Sequence, residues 1–169
     1  MNIFLIICLI ITFIFGIVVF SGSPYVPSKK MYLQRALTNL YKLSSDDLLV
    51  DIGSGDGIVL REAAKKGAKA VGYEINPILV FISKIISPSK KISVNLASFW
   101  SAKFPAETTI VYVFTASRDI KKIYNKIQKE VNRLNKPVHM LSLGSQFSFL
   151  KVIKKDGPYF LYEIKPEKS

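Results

Sequence analysis

The stretch from Leu48 to Gly57 constrains this chain more than any other part of the sequence. It opens with apolar residues that predict a short buried strand, with Asp51 near the end of that strand. A turn follows with glycine at positions 53, 55 and 57, and a helix is predicted over residues 58–66. A strand, a glycine-rich turn and a helix form the first half of a nucleotide-binding α/β unit. Because glycine has no Cβ, the backbone can bend sharply there and a ligand can approach closely.

The spacing of this turn and the acid before it narrow the choice of ligand. Position 58 is Ile, so the glycines follow Gly-x-Gly-x-Gly rather than the dinucleotide pattern Gly-x-Gly-x-x-Gly. Asp51 would lie beside a pyrophosphate bound at the helix N-terminus, which is unfavourable for two anions. S-adenosylmethionine (SAM) carries a cationic amine and no phosphate, so it is the favoured ligand. A nicotinamide or flavin cofactor and a purely structural glycine turn remain the alternatives.

A second acid supports the same interpretation. Glu74 ends the apolar run from Ala70, which predicts the second strand. An acid at the tip of this strand accepts hydrogen bonds from ribose hydroxyls, about 20 residues beyond the glycine turn. The separation between Gly57 and Glu74 agrees with that distance.

Two segments carry a resemblance to a known family. Val50 to Gly57, followed by Gly72 to Pro77, resembles the seven-β-strand SAM-dependent methyltransferases. More narrowly, the chain resembles the small membrane-anchored protein-lysine methyltransferases whose mitochondrial members modify the ATP synthase c-subunit and the adenine nucleotide translocase. The narrower resemblance also uses Pro24 to Ser28 and the run Ser98-Phe99-Trp100. It covers roughly residues 1–115 and extends more loosely beyond them.

The resemblance implies roles for particular residues in holding SAM. Asp51 would hold the methionyl end, directly or through water, and Glu74 would take the ribose. Gly53, Gly55 and Gly57 would let the backbone approach the ligand. Many of these enzymes carry an Asp that contacts the adenine amino group at the position where this chain has Ser98. This departure weakens the assignment of Ser98 as the adenine contact. Phe99 or Trp100 could flank the adenine ring by stacking, although both could equally be core residues.

The candidates for the substrate channel are Tyr25, Pro27, Trp100 and Phe114. In the functional interpretation, Tyr25 and Pro27 belong to the rim of the active site. In the simpler alternative, their segment only ends the apolar N-terminal helix and serves as a spacer before the domain. No catalytic base is assigned, because methyl transfer from a sulfonium releases a neutral thioether and chiefly requires alignment and exclusion of water.

Metal chemistry is not expected from this sequence. Cys8 is the single cysteine and His139 the single histidine, so no Cys/His cluster can hold zinc and no disulfide can form within the chain. His139 lies in an apolar stretch, which indicates a packed strand residue rather than a catalyst.

The N-terminus predicts a membrane anchor. Residues 3–20 contain no charge and are rich in Ile, Leu, Phe and Val, near the lower limit of membrane-spanning length. We therefore expect a transmembrane anchor over residues 1–20, a linker over residues 21–30 and a methyltransferase domain over residues 31–169. A cleaved signal peptide is the alternative, although its cationic n-region is missing. Because every Lys and Arg follows residue 28, the positive-inside rule places the domain in the cytoplasm and the N-terminus outside.

The remaining patterns predict the rest of an α/β domain. Helices are expected over residues 31–43, from Pro77 until Pro88, and over residues 119–134, with strands at 91–96, 109–114 and 137–143. Residues 147–153 and 159–164 flank an Asp-Gly turn that predicts a terminal hairpin. The expected fold is a doubly wound, Rossmann-like α/β sheet of seven strands, with helices between the first five strands, an antiparallel C-terminal hairpin and a preceding transmembrane helix.

The charge of the chain leaves several partners open. The net charge of +12 favours nucleic acid, anionic lipid or an acidic protein face, although it is also compatible with a merely solvated surface. After strand four the chain continues as Phe114-Thr115-Ala116-Ser117, without the Asp/Asn-Pro-Pro-aromatic loop of nucleobase amino-methyltransferases. The favoured function is therefore methylation of a lysine in a membrane protein. The alternatives are a methyltransferase for RNA, lipid or a small molecule, and a SAM-binding protein without catalysis.

Overall fold

A computed structural model describes residues 2–10, 12, 30–115 and 119–167 of the protein. Within the N-terminal part, residues 3–10 are helical. None of the helices in these described ranges has both the length and the apolar character needed to cross a bilayer. Half of the predicted anchor, at positions 1, 11 and 13–20, and the predicted linker up to residue 29 lie outside the described residues.

The main body is a seven-stranded mixed sheet with the strand order β3-β2-β1-β4-β5-β7-β6. The first five strands are parallel, and β7 runs antiparallel between β5 and β6. This confirms the predicted Rossmann-like sheet with an antiparallel C-terminal hairpin. The strands are β1 (Leu48–Ile52), β2 (Lys69–Glu74), β3 (Ile92–Leu96), β4 (Ile110–Thr115), β5 (Val138–Gly144), β6 (Lys154–Asp156) and β7 (Tyr159–Ile164).

Helices cover both faces of the sheet, as the doubly wound interpretation requires. They are α1 (Lys30–Arg35), which continues into a π-helical turn (Ala36–Leu40), then α2 (Ile58–Lys65), α3 (Pro77–Ile86) and α4 (Ile120–Leu134). The first face carries α1, the π-helical turn, α2 and α3, whose contributions include Leu33, Leu60 and Val80. The second face carries α4, which contributes Ile123 and Ile127, together with the loop residue Phe104.

Local signals explain where several helices start and stop. The Oδ1 of Asn76 accepts a hydrogen bond from the backbone N–H of Ile78 at 2.9 Å, so Asn76 is the N-cap of α3, and Pro77 occupies the first turn. The helix α4 ends at Asn135, whose φ of 50° is left-handed, a conformation that Asn tolerates well. The predicted helix over residues 31–43 is shorter and widens into the π-helical turn, where the N–H of Tyr41 donates to the carbonyl of Ala36 at 3.2 Å.

The predicted sixth strand differs from the structure. The sequence pattern predicts the sixth strand over residues 147–153, but β6 is Lys154–Asp156 and the preceding apolar residues form a loop. Phe147 is fully buried there, and its N–H donates to the Tyr162 hydroxyl at 3.0 Å. The apolar pattern of that segment therefore reflects a loop that fills the core, not a strand.

The helix expected between the third and fourth strands is also absent. Residues 97–109 connect β3 to β4 through turns, and all of them are described. Phe104, which is 2% exposed, packs against the second face of the sheet. A buried aromatic side chain therefore covers the sheet there in place of a helix.

Candidate functional site

The glycine turn lies where the strand order reverses. The strand β1 has β2 on one side and β4 on the other, so the crevice at its carboxyl end is the usual ligand position in a sheet of this type. Gly53, Gly55 and Gly57 have φ values of 89°, 52° and 79°, a left-handed conformation that any side chain would strain. The sequence therefore requires glycine at these positions for the turn itself.

The space around the glycines shows which of them faces outward. A Cβ at Gly57 would collide with the Ser83 hydroxyl of α3, so this glycine allows close packing between two helices. A Cβ at Gly53 would meet nothing within 4 Å. Gly53 thus leaves open space beside the end of β1, where a ligand could approach the backbone.

Glu74 holds the turn from the tip of β2. Its Oε2 accepts a hydrogen bond from the Gly55 N–H at 2.9 Å, and its Oε1 accepts one from the Asn76 N–H at 2.8 Å. Each carboxylate oxygen has a second lone pair, so Glu74 can still accept hydrogen bonds from a ligand. The residue therefore combines organisation of the turn with capacity to bind hydroxyl groups.

Asp51 is the electrostatically unusual residue of the site. It is 2% exposed, and burial raises the pKa of its carboxyl well above the ordinary value, with the charges of Glu74 and Asp56 raising it further. The charged form of Asp51 is unfavourable there, because the carboxylate is desolvated and two other acids lie nearby. A cation bound beside Asp51 would stabilise that charged form, so the site suits a cationic ligand.

Asp56 was not singled out from the sequence. Its carboxylate pairs with the Arg61 guanidinium at 2.9 Å, and its Oδ1 accepts from the N–H of Ile58 at 3.2 Å. These contacts fix the start of α2 next to the glycine turn. Its position within Gly55-Asp56-Gly57 was visible in the sequence, but its charge effect on Asp51 depends on their proximity in the fold.

The run after β3 reaches the same end of the sheet. The Ala97 N–H donates to the Glu74 carbonyl at 3.0 Å, which places the following Ser98 near the second strand tip. Phe99 packs partly against the core of the second face, and its ring centroid lies 4.2 Å from that of Trp100. Trp100 is 45% exposed. The structure thus gives Phe99 a core contact and leaves Trp100 accessible.

The other predicted substrate residues are only partly placed. Phe114 is half-buried near the carboxyl end of β4, which pairs with β1, so it belongs to the same edge of the sheet as Asp51. Tyr25 and Pro27 lie outside the described residues. His139 is the second residue of β5, with its ring centroid 5.0 Å from that of Tyr41, and this agrees with a packed strand residue.

Within the described ranges, no group of three or more His, Cys, Asp or Glu side chains is arranged to hold a metal ion. The site combines acidic side chains at the tips of β1 and β2, an exposed glycine at position 53 and aromatic side chains nearby. Such a site can hold an adenosine-like ligand that carries a positive charge.

Comparison with known proteins bears on this arrangement. The fold matches that of an RNA methyltransferase from Salinibacter ruber, solved in complex with S-adenosyl-L-homocysteine, with a TM-score of 0.74 over 85% of this chain and 96% of that chain, at 22% identity. A protein-lysine N-methyltransferase of Saccharolobus islandicus (strain REY15A) is 32% identical over 115 residues, which cover 64% of this chain and 70% of the relative. This chain belongs to the protein-lysine N-methyltransferase family.

A second relative of this chain is longer. The ATP synthase c-subunit lysine N-methyltransferase of Xenopus laevis is 32% identical over 112 residues, covering 64% of this chain and 48% of that protein. This chain therefore spans about half the length of such relatives. No protein-family model matches the chain.

Proposed function

We propose that this protein is a SAM-dependent protein-lysine N-methyltransferase that acts on a membrane protein. The observation that carries the proposal is Asp51, a buried carboxylate near the end of β1 with a raised pKa and with open space at the nearby Gly53. SAM would supply the missing positive charge and, when bound, an electrophilic methyl group on its sulfonium.

The chain has residues suited to each part of SAM. Asp51 would bind the methionyl end, and Glu74 would accept hydrogen bonds from the ribose. The turn of Gly53, Gly55 and Gly57 would present its backbone to the ligand. Ser98 and Phe99, which follow β3 at the same end of the sheet, would border the adenine.

The protein's own part in the reaction is to bind, orient and desolvate. A lysine acceptor must arrive as the neutral amine, and desolvation in a closed crevice lowers the pKa of an amine. Trp100 and Phe114 would provide apolar walls for the approaching side chain, with Tyr25 and Pro27 at the rim. No residue is assigned as a dedicated base, because water or bulk solvent can take the proton before the amine is enclosed.

The membrane substrate rests on two further observations. Several relatives are named as methyltransferases for a lysine of the ATP synthase c-subunit. In this chain, residues 3–20 are uncharged and only about ten residues separate Phe20 from the start of α1 at Lys30. Even fully extended, such a linker spans about 35 Å, which keeps an anchored domain near the bilayer.

We further propose a single-pass topology with the N-terminus outside and the catalytic domain in the cytoplasm. The supporting observation is that all Lys and Arg residues follow the uncharged segment. Protease added to intact cells should spare the domain. Digestion from outside, or a mature N-terminus near Ser23, would contradict this topology.

The direct test of function uses tritiated SAM and membranes from cells that lack the gene. Full-length protein should label a membrane protein on lysine, as identified by mass spectrometry, and the Asp51→Asn variant should label it far less. If the label appears in RNA or in lipid instead, the methyl acceptor is RNA or lipid and not a protein. RNA remains the strongest of these because of the net charge of +12.

A further inference from the structure

The helix α3 is oriented in an unusual way. A surface helix ordinarily buries its apolar stripe and exposes its polar face. In α3 the fully buried residues are Val80 and Ser83, whereas Phe81 is 66% exposed and Ile85 is 59% exposed. The outward stripe follows helical spacing and consists of the exposed Phe81, Ile82, Ile85 and Ile86, with the half-buried Ile78 at its start.

The inward position of Ser83 follows from the glycine turn. The Ser83 hydroxyl lies where a Cβ of Gly57 would be, so the two elements approach closely at this point and leave no room for a larger side chain. The apolar residues of α3 are therefore displaced to the outer side by the packing of the candidate SAM site. Neighbouring apolar side chains extend the surface, since Ile75 and Leu96, at the ends of β2 and β3, are also exposed.

The chain segment that forms this surface carries charges of a single sign. Between Glu74 and Glu107 the chain has no acidic residue, while Lys84, Lys90 and Lys91 are all exposed. The ammonium of Lys91 also donates to the Gly67 carbonyl at 3.0 Å, which leaves Lys84 and Lys90 as the freer cations. We call the apolar stripe of α3, Ile75 and Leu96, together with these lysines, the α3 surface.

We propose that the α3 surface docks the folded domain onto an anionic phospholipid bilayer. A bilayer interface offers both an apolar layer for the stripe and negative headgroups for the lysines. A second copy of the chain would bring lysines against lysines. Asp56, which lies near the Ser87 C-cap of α3 through Arg61, is already paired with that arginine and does not balance them. The uncharged N-terminal residues 3–20 could cover the stripe but hold no anion for Lys84 and Lys90.

This docking concerns the orientation of the domain and does not depend on methyl transfer. An N-terminal anchor alone leaves the domain free to tumble on its linker. A second contact through α3 would fix which side of the sheet faces the bilayer. It would also couple the membrane to the Gly57–Ser83 packing at the start of α2.

The test uses the full chain with one reporter position at a time. In a Cys8→Ser background, Phe81→Cys carries an environment-sensitive fluorophore, and Lys129→Cys on the opposite face of the sheet is the matched control. Both positions are exposed, and Lys129 lies on α4. The proteins are mixed with vesicles of phosphatidylcholine alone or of phosphatidylcholine with phosphatidylglycerol, with brominated lipid as the quencher.

We expect a blue shift and quenching at position 81 with the anionic vesicles and no change at position 129. The double variant Lys84→Gln, Lys90→Gln should lower the docked-to-undocked ratio roughly thirtyfold, since each lysine near an anionic surface contributes about a fivefold factor. The pair Lys121→Gln, Lys122→Gln on α4 should leave it unchanged. SAM binding of every variant verifies the fold.

Three results would overturn the proposal. Equal quenching at positions 81 and 129 would mean that the anchor brings the whole domain near lipid without a preferred face. A blue shift without vesicles that grows with protein concentration would identify a second copy as the occupant. A blue shift without vesicles that is independent of concentration would identify the N-terminal segment.

Discussion

At the scale of single residues, Asp51 lowers the stability of the ligand-free fold while it favours the binding of a cationic ligand. Asp51 is buried next to Glu74 and Asp56, so its negative charge is unfavourable when no cation is bound. Because its pKa is raised in the folded state, the folded protein binds a proton more tightly than the unfolded chain does. The free energy of unfolding is therefore reduced as pH rises above the ordinary value of 3.8 toward the raised pKa.

Replacing this carboxylate should separate the two effects. We expect Asp51→Asn to raise the melting temperature of the SAM-free protein at neutral pH, with the difference from wild type narrowing as the pH approaches 4. The same variant should weaken SAM by about ten- to a hundredfold, the effect of losing a charged hydrogen bond. Calorimetry that finds undiminished SAM affinity in the folded variant would refute the assigned role.

The glycines of the turn offer a matched pair of substitutions. Gly53 and Gly57 both have left-handed φ values, but only Gly57 lacks room for a Cβ because of Ser83. Gly57→Ala should therefore lower the free energy of unfolding by more than the roughly 1–3 kcal/mol expected for backbone strain at Gly53→Ala. Urea titrations of the two variants test this order, and Ser83→Ala should partly rescue Gly57→Ala. Equal losses without rescue would contradict the packing role of Gly57.

At the scale of secondary-structure elements, α4 stabilises the loop that replaces a helix between β3 and β4. Glu130 is 3% exposed, and its Oε2 accepts a hydrogen bond from the Phe104 N–H at 3.0 Å. It also pairs with Lys126 and Arg133, at 2.7 Å each. Lys126 and Arg133 in turn donate to the carbonyls of Ala102 and Phe104, each at 2.5 Å. The loop that carries Ser98 and Trp100 is thus held at its far end by one buried ion-pair network.

This network predicts a pH-dependent contribution to stability. Burial raises the pKa of Glu130, but hydrogen bonds from Lys126, the Phe104 N–H and Arg133 outweigh it, so the net pKa is lowered. The stabilisation is therefore fully present above the ordinary value of 4.5 and is lost as pH falls through the lowered pKa. Glu130→Gln should cost about 1.5–3 kcal/mol at neutral pH and little in strong acid.

Hydrogen exchange locates that effect. In Glu130→Gln the amides of residues 97–104 should exchange faster, while those of β1 and β2 keep their protection relative to global unfolding. Glu163→Gln is a suitable control, since its pairing with Lys165 at 3.2 Å is largely exposed. A uniform loss of protection across the sheet would mean that Glu130 supports the whole fold and not this loop in particular.

At the scale of the whole molecule, the acidic crevice and the basic surface point to different partners. The crevice at the end of β1 suits a small cationic ligand, whereas the net charge of +12 suits an anionic surface such as a bilayer. The proposed anchor would add an effective concentration of any acceptor in the same membrane. Ligand binding and substrate encounter should therefore depend on different parts of the chain.

Removing residues 1–20 tests this separation. The shortened protein should keep its SAM affinity but methylate the proposed membrane substrate more slowly. Solubilising that substrate in detergent should make the difference between the two forms smaller. Labelling of membranes and of solubilised protein, measured side by side, gives the comparison. Equal rates on intact membranes for both forms would contradict a tethering role for the N-terminus.

Much of this protein followed from the sequence because its signals are local. The glycine spacing, the apolar strands and the helix start at Pro77 each depend on residues a few positions apart, so the succession of β1 to β5 along the chain and the family could be predicted. Asp51 and Glu74 could be proposed as site residues for the same reason, since each lies at a fixed offset from a strand end.

Only the tertiary structure decided the features that depend on distant residues. The apolar residues 147–153 alternate like a strand, yet Phe147 fills a core position, so β6 begins at Lys154. The outward stripe of α3 follows from its close approach to Gly57. The raised pKa of Asp51 follows first from its burial and then from the nearby charges of Glu74 and Asp56. A one-dimensional pattern records which side chains are apolar or charged, whereas burial and electrostatic energy depend on which of them meet in three dimensions.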